Sequence, residues 1–222
     1  MKCNSTQILL VNDQPIVMYG LKRLIDQEDG LCVCAECSSA TEVLETLDNC
    51  HPDIVVVDIS MHGSNGLEMT KIIKNAIPSL PILIFSRQDE SLYAERALRA
   101  GARGYIMKHE STETILYAIR KLLADNVYLS KKLSTKMRHQ QQNGTAGDII
   151  DKFGVENLSD RELEIFEFLG RGQSSRDIAA RLQLSIKTVE THRAHIKQKL
   201  KIENATELVH RAFHWVESGS TN

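Results

Sequence analysis

The chain has 222 residues, 42% hydrophobic and 25% charged, with a net charge of −2, the makeup of an ordinary soluble protein with one or two largely aliphatic cores. No apolar run approaches the ~20 residues of a membrane helix, and Met1-Lys2-Cys3-Asn4-Ser5 lacks the apolar stretch of a signal peptide, so no membrane partner and a cytoplasmic location are expected. The small net charge hides a division: residues 1–130 carry 12 basic and 17 acidic side chains, residues 131–155 carry 5 and 2, and residues 156–222 carry 10 and 10.

Along the first 125 residues, short runs rich in β-branched residues at Ile8–Val11, Cys32–Ala35, Ile54–Val57, Ile82–Phe85 and Gly104–Met107 predict strands buried on both faces. Between them, apolar residues recur at helical spacing: Ile16, Leu21, Leu24 and Ile25; Val43, Leu44 and Leu47; Leu67, Ile72 and Ile73; Leu92, Ala97 and Leu98; Ile115, Ile119, Leu122 and Leu123. Five strands alternating with five helices predict an α/β doubly wound, five-stranded parallel sheet. The odd cysteine count argues against a disulfide framework. Cys32-x-Cys34-x-x-Cys37 fits a buried strand, with Cys as a small hydrophobe, better than a metal site built from two separated ligand pairs.

The stretch Gln140–Gly147 is polar and aperiodic, a flexible linker. From Leu158 the pattern is wholly helical. Ser159-x-x-Glu162 is a capping box before Leu163, Ile165, Phe166 and Leu169, with Gly170 and Gly172 at the end of that helix. Ser174 or Ser175 caps a second helix carrying Ile178, Ala179 and Leu182. Ser185 caps a third, Ile186 to Lys199, with Val189, Ile196 and Leu200 inward. Asn204-Ala205-Thr206-Glu207 resembles a capping box for a fourth, with Leu208, Val209, Ala212 and Phe213 inward. A small all-α four-helix domain with a short turn between its middle helices suits a helix-turn-helix. Arg171 to Lys201 holds eight basic and two acidic residues, a local +6 that suggests one basic face. The expected division is 1–128, linker 129–155, and 156–222.

A parallel sheet gathers the residues that follow its strands at one edge. That edge would hold Asn12 and Asp13, Asp58, Ser86 and Lys108. Oxygen donors of this kind suit Mg²⁺, a carboxylate beside it can attack phosphorus, and an ammonium offsets the arriving charge.

These residues carry a resemblance. Ile8-Leu9-Leu10-Val11-Asn12-Asp13, Pro52 to Met61, Gly66-Leu67, Ser86 and Ala100 to Lys108 resemble a response-regulator receiver domain, a flavodoxin-like fold, over residues 7–125. The resemblance implies Asp58 as phosphoacceptor, Asp13 and the Ser60 carbonyl as Mg²⁺ ligands, and Asn12 acting more weakly through water. It implies Ser86 as the hydroxyl bonded to the phosphoryl group, Tyr105 as a switch and Lys108 as the ion-pairing lysine. Ser60 and Gln88 would influence dephosphorylation. The chain departs from the pattern at Asn12, where a second acid is usual, at His62, where proline is common, and at His109-Glu110, where a proline is absent.

Residues 158–213 resemble the LuxR/NarL-type helix-turn-helix through Leu158-Ser159-Asp160-Arg161-Glu162, Gly172, Asp177-Ile178-Ala179, Leu184 to Arg193, Ile196 and Lys199-Leu200, with His195 where asparagine is usual. The resemblance implies that the helix from Ile186 enters the major groove of double-stranded DNA. Lys187, Arg193 and Lys197 would face phosphates, Glu190 and Thr191 base edges, Thr188 a phosphate at the helix start, and Ala194 the outward face. His192 and His195 are expected to pack or face solvent. The implied function is a two-component transcription regulator, not an enzyme. A histidine kinase phosphorylates it, and it dimerises on DNA with RNA polymerase as a further partner. The alternative is a phosphorylation-independent DNA-binding regulator whose atypical receiver is a dimerisation module.

Overall fold

The computed structural model describes residues 5–61, 64–135 and 154–219. The chain divides into two compact units, Met1–Lys136 and Met137–Asn222. Gln140–Gly147 and His62 lie outside the described residues. Among the described residues no helix is long and apolar enough to cross a membrane.

In the first unit, β1 (Thr6–Val11), β2 (Leu31–Cys37), β3 (Ile54–Val57), β6 (Ile82–Ser86) and β7 (Gly104–Met107) form a parallel sheet in the order β2-β1-β3-β6-β7. Two shorter strands, β4 (Ser60–Met61) and β5 (Ser64–Asn65), make an antiparallel hairpin after β3. The helices are α1 (Pro15–Asp26), α2 (Ala40–Cys50), α3 (Gly66–Ala76), α4 (Glu90–Arg99) and α5 (Thr112–Leu123). Strand alternation sends Ile8, Leu10, Ile54, Val56, Leu83, Phe85 and Ile106 into one core with α1 and α5. Leu9, Val11, Val55, Val57, Ile82, Ile84 and Tyr105 are buried too, so both faces are covered as the apolar runs predict. Tyr128 bridges to Gly104 beside β7, and Leu133 is also buried.

Several expectations need correction. Ile16 is 78% exposed and Leu44 43%, so the first two helical stripes are narrower than read. On α4 the buried residues are Tyr93, Ala94 and Ala97, while Leu92 and Leu98 are only partly covered, as is Ile72 on α3. The strand β2 is an edge strand, so Cys32 and Cys34 are half-buried and only Cys37 is buried. Burial and the neighbouring Cys50 push the Cys34 thiol up to about 12, which keeps it protonated and unreactive.

The second unit holds α6 (Asp160–Gly170), α7 (Ser175–Leu182), α8 (Ile186–Leu200) and α9 (Ala205–Gly219). A 3₁₀ turn over Val155–Asn157 precedes α6. The capping box of Ser159 and Glu162 is complete, and Ser174 forms another with Asp177. Ser185 caps α8 by accepting from Thr188 N. Asn204 Oδ1 accepts from Glu207 N at 2.9 Å, but the Glu207 carboxylate accepts from Glu203 N, so this cap is not a reciprocal box. Gly172 is left-handed after α6, whereas Gly170 is needed for another reason: an added Cβ would lie 2.3 Å from the Ala212 carbonyl oxygen on α9. There Phe166 and Trp215 pack with ring centroids 5.6 Å apart. Val209 and Phe213, read as inward, are 38% and 49% exposed.

Candidate functional site

The first unit's polar residues are carried to one edge by the strand ladder. Asn12 N donates to Cys37 O, Asp58 N to Val11 O at 2.9 Å and Lys108 N to Ser86 O at 2.7 Å, each continuing a rung past its strand. Asp58 is 2% exposed. Its Oδ2 accepts from Lys108 Nζ at 2.7 Å, and its Oδ1 accepts from Ser60 N at 3.3 Å. Burial raises the Asp58 pKa above the ordinary carboxylate value. Lys108 and the Ser60 N–H pull it down, the Asp13 carboxylate adds to the rise, and the net shift is upward. A charged, basic oxygen held near a cation but out of bulk water suits nucleophilic attack.

Ser86 and Tyr105 are fully buried and meet at Gln88. Ser86 Oγ accepts from Gln88 N at 3.0 Å, Tyr105 Oη donates to Gln88 O at 2.7 Å, and Gln88 Nε2 donates to Ser60 Oγ at 3.1 Å. Thus Gln88 ties three of the expected site residues together.

Asn12 is buried, and its oxygen accepts from Gln14 N at 2.8 Å in the turn before α1. Its Nδ2 is buried with no hydrogen-bond partner among the described residues. An amide nitrogen does not ligate Mg²⁺; the oxygen donors at this edge that could hold the ion are the Asp13 and Asp58 carboxylates and the Ser60 carbonyl, while the Asn12 oxygen already accepts from Gln14 N. Gly66 N donates to Ile59 O, which makes Ser60 and Asn65 a pair of the non-hydrogen-bonded kind and leaves the Ser60 carbonyl out of the hairpin ladder. That turn requires glycine: a Cβ on Gly66 would lie 2.1 Å from the Asp58 carbonyl oxygen.

In the second unit, Val189, Ile196 and Leu200 are buried, while Lys187, Glu190, Thr191 and Ala194 are exposed. Thr188, Arg193 and Lys197 are partly covered. Thr188 shares a hydrogen bond with Ser185, and Thr191 Oγ1 donates to Lys187 O. Glu190 and Arg193 are tied to the start of α7. Ser175 Oγ donates to Glu190 Oε1 at 2.5 Å, and Arg193 donates both to Ser175 Oγ at 2.5 Å and to Glu190 Oε1 at 3.1 Å. No local sequence signal foretells this triangle, because Ser175 lies 15 and 18 positions away. Glu162 does more than cap. Its Oε2 also accepts from Lys199 Nζ at 2.6 Å. Burial pushes its carboxyl up, but the bonds from Lys199 and Ser159 outweigh that and hold it below the usual range. Burial lowers the His192 pKa.

Fold and edge chemistry together define a receiver-type α/β domain joined to a helix-turn-helix. The family model described as "Response regulator receiver domain" matches residues 8–120, and "Bacterial regulatory proteins, luxR family" matches residues 156–212. The chain is 32% identical over 210 residues to the oxygen regulatory protein NreC of Staphylococcus carnosus, covering 93% of this chain and 96% of that protein. The NreC of Staphylococcus haemolyticus is 33% identical over the same shares. A LuxR-family two-component response regulator from Aurantimonas sp. matches with a TM-score of 0.58 at 33% identity, over 63% of this chain and 99% of that one. RcsB from Salmonella enterica serovar Typhimurium, bound to promoter rprA with the phosphomimetic BeF3-, shares the fold with a TM-score of 0.63 at 22% identity, over 95% of this chain and 99% of that one. The chain belongs to the LuxR family of two-component, DNA-binding response regulators.

Proposed function

We propose that this regulator is switched by phosphoryl transfer from a histidine kinase to Asp58, in the cytoplasm, and that phosphorylation controls binding of α8 to double-stranded DNA. The observation that carries the reading is the buried Asp58–Lys108 pair, set beside Asp13 where the parallel strands end. Asp13, Asp58 and the Ser60 carbonyl would hold Mg²⁺, which supplies charge neutralisation at the phosphoryl group. An Asp58 oxygen forms the new bond to phosphorus while the bond from phosphorus to the kinase histidine breaks, and the imidazole leaves with that electron pair. Lys108 offsets the incoming charge. Ser86 then turns its hydroxyl from Gln88 N to the phosphoryl oxygen, and Tyr105 leaves the Gln88 carbonyl to follow it.

On DNA, Lys187, Thr188, Arg193 and Lys197 contact phosphates and Glu190 and Thr191 contact base edges, with Ala194 on the outward face. Two copies occupy half-sites about one helical turn apart, with RNA polymerase as a further contact. For Arg193 and Glu190 to reach DNA, the Ser175 triangle must open or be read as a unit. The matches to both family models give no support to a phosphorylation-independent regulator.

The test is intact-mass spectrometry after incubation with Mg²⁺ and a small-molecule phosphodonor, wild type beside Asp58→Ala, followed by gel-shift titration. One phosphoryl mass on wild type alone, with tighter DNA binding, is expected. No adduct with unchanged DNA affinity overturns the proposal.

A further inference from the structure

Glu162, His192 and His195 lie in the second unit, away from the Asp58 edge, with the two histidines on the flank of α8 between its buried face and the exposed face of Thr191 and Ala194. Glu162 sits in the first turn of α6 with Oε2 occupied by Ser159 N and Lys199 Nζ. Its other oxygen, Oε1, is 3.9 Å from His195 Nδ1. His192 lies three positions before His195, so the two imidazoles share a face of α8. His192 Nδ1 is buried and has no hydrogen-bond partner among the described residues. One ligand atom from each of the three lies within 4.8 Å of the other two.

We propose that Glu162, His192 and His195 form a binding site for a borderline divalent transition ion, Zn²⁺ in the first instance, which clips the first turn of α6 to α8. Two imidazoles with one carboxylate oxygen are a donor set for such ions rather than for Mg²⁺ or Ca²⁺, so the site is chemically distinct from the Asp58 edge. Ligands bound tetrahedrally at about 2.0–2.1 Å stand roughly 3.4 Å apart, so the Glu162–His195 separation closes by side-chain rotation alone. His195 is the most exposed of the three, which leaves room for water at a fourth position. Lys199 stays on the second carboxylate oxygen and its charge weakens the hold on the ion. The departure that builds the site is His195 itself, in place of the asparagine usual at that position.

A rival site is visible on α9, where His210 Nε2 and His214 Nε2 are 3.0 Å apart and exposed. The full chain, freed of metal by chelator, is therefore studied with both residues changed to alanine, and Zn²⁺ alone is the probe. Trp215, the single tryptophan, reports unfolding of the second unit by fluorescence. In this background Zn²⁺ is expected to raise the Trp215 transition temperature and Mg²⁺ to leave it in place. Adding His195→Asn, at an exposed position, is expected to weaken Zn²⁺ binding in calorimetry by about tenfold or more, since even loss of a group behind a ligand costs that much. It is also expected to abolish the temperature rise while leaving the metal-free transition unchanged. A Zn²⁺ effect that survives His195→Asn overturns the site. A Zn²⁺ effect already lost in the alanine background assigns the ion to α9 and overturns it equally.

Discussion

Gly66→Ala isolates the turn that shapes the phosphorylation edge. The new Cβ would sit 2.1 Å from Asp58 O, 2.6 Å from Ile59 Cα and 2.8 Å from the Asp58 carbonyl carbon. All three are backbone atoms, so no rotamer change relieves the contact, and the chain must move by about an ångström. Overpacking of this kind costs about 1–3 kcal/mol, and a rigid neighbour places it in the upper half of that range. Alanine returns about 0.4–1 kcal/mol by restricting the unfolded chain. The net loss is about 1–2.6 kcal/mol, or about 3–13 °C for a unit of this size. Far-UV circular dichroism should show the first unit melting earlier, while Trp215 fluorescence, which follows the second unit, should not move. Because the displaced atoms include the Asp58 backbone, the rate of phosphoryl labelling should fall as well. A first-unit transition within a degree of wild type, with normal labelling, would falsify the close approach and the role given to it.

Gly170→Ala makes the same point in the second unit: its Cβ would lie 2.3 Å from Ala212 O and 2.6 Å from Val216 Cγ2, so a loss of about 1–3 kcal/mol is expected in the Trp215 transition despite alanine's better helix propensity. A stabilised variant would show that α6 and α9 are further apart. The raised Asp58 pKa has a stability consequence whose sign follows from proton counts. Above the ordinary Asp value of about 3.9 the unfolded chain has released this proton while the folded chain still holds it, so stability falls as pH rises through that window to the raised folded value. Urea midpoints of wild type minus Asp58→Asn, measured across that window, should decline with pH, and a flat difference would contradict the shift. In DNA binding, Lys187→Ala should reduce the salt slope by about one, because each phosphate contact releases its counterion. Arg193→Ala should reduce it less, since Ser175 and Glu190 already hold that guanidinium; equal slopes would dismiss the triangle as a restraint.

The sheet was readable because parallel strands covered on both faces must be continuous apolar runs, and the edge was readable because such strands end together. Asp58 and Lys108 are 50 positions apart, yet each directly follows a strand, so topology alone predicts their meeting. Other features had no such rule to carry them. The strands of the β4–β5 hairpin are two residues long, too short for any period to register. The Gln88 hub joins backbone and side-chain groups whose partners sequence spacing does not reveal. Lys199 reaches Glu162 across 37 positions, although the capping box showed why Glu162 is where it is. Periodicity also over-reads: Ile16, Leu44, Val209 and Phe213 fall on apolar stripes but stay exposed, because a helix stripe marks every residue near the inward direction and the core covers only the centre of it.

Asn12 shows where composition and geometry part. In sequence it is a lost negative charge. In the structure its oxygen caps the turn at Gln14 N and its Nδ2 is a buried donor without a partner among the described residues. Asn12→Asp would keep the cap with one oxygen and place a second where the orphan nitrogen now sits. The new oxygen takes the nitrogen's buried and partnerless place, so an unsatisfied donor is exchanged for a buried charge, and the carboxylates of Asp13 and Asp58 add like-charge repulsion. Without metal both effects act against the folded state, so a lower transition temperature of the first unit is expected. With Mg²⁺ the repulsion becomes attraction, and one added charge interaction of about 1.4 kcal/mol strengthens binding about tenfold. Thermal shift of the first unit against Mg²⁺ concentration measures this directly. An unchanged midpoint concentration would mean that the Asn12 side chain does not face the ion, and that its departure from the usual acid tunes the turn before α1 instead.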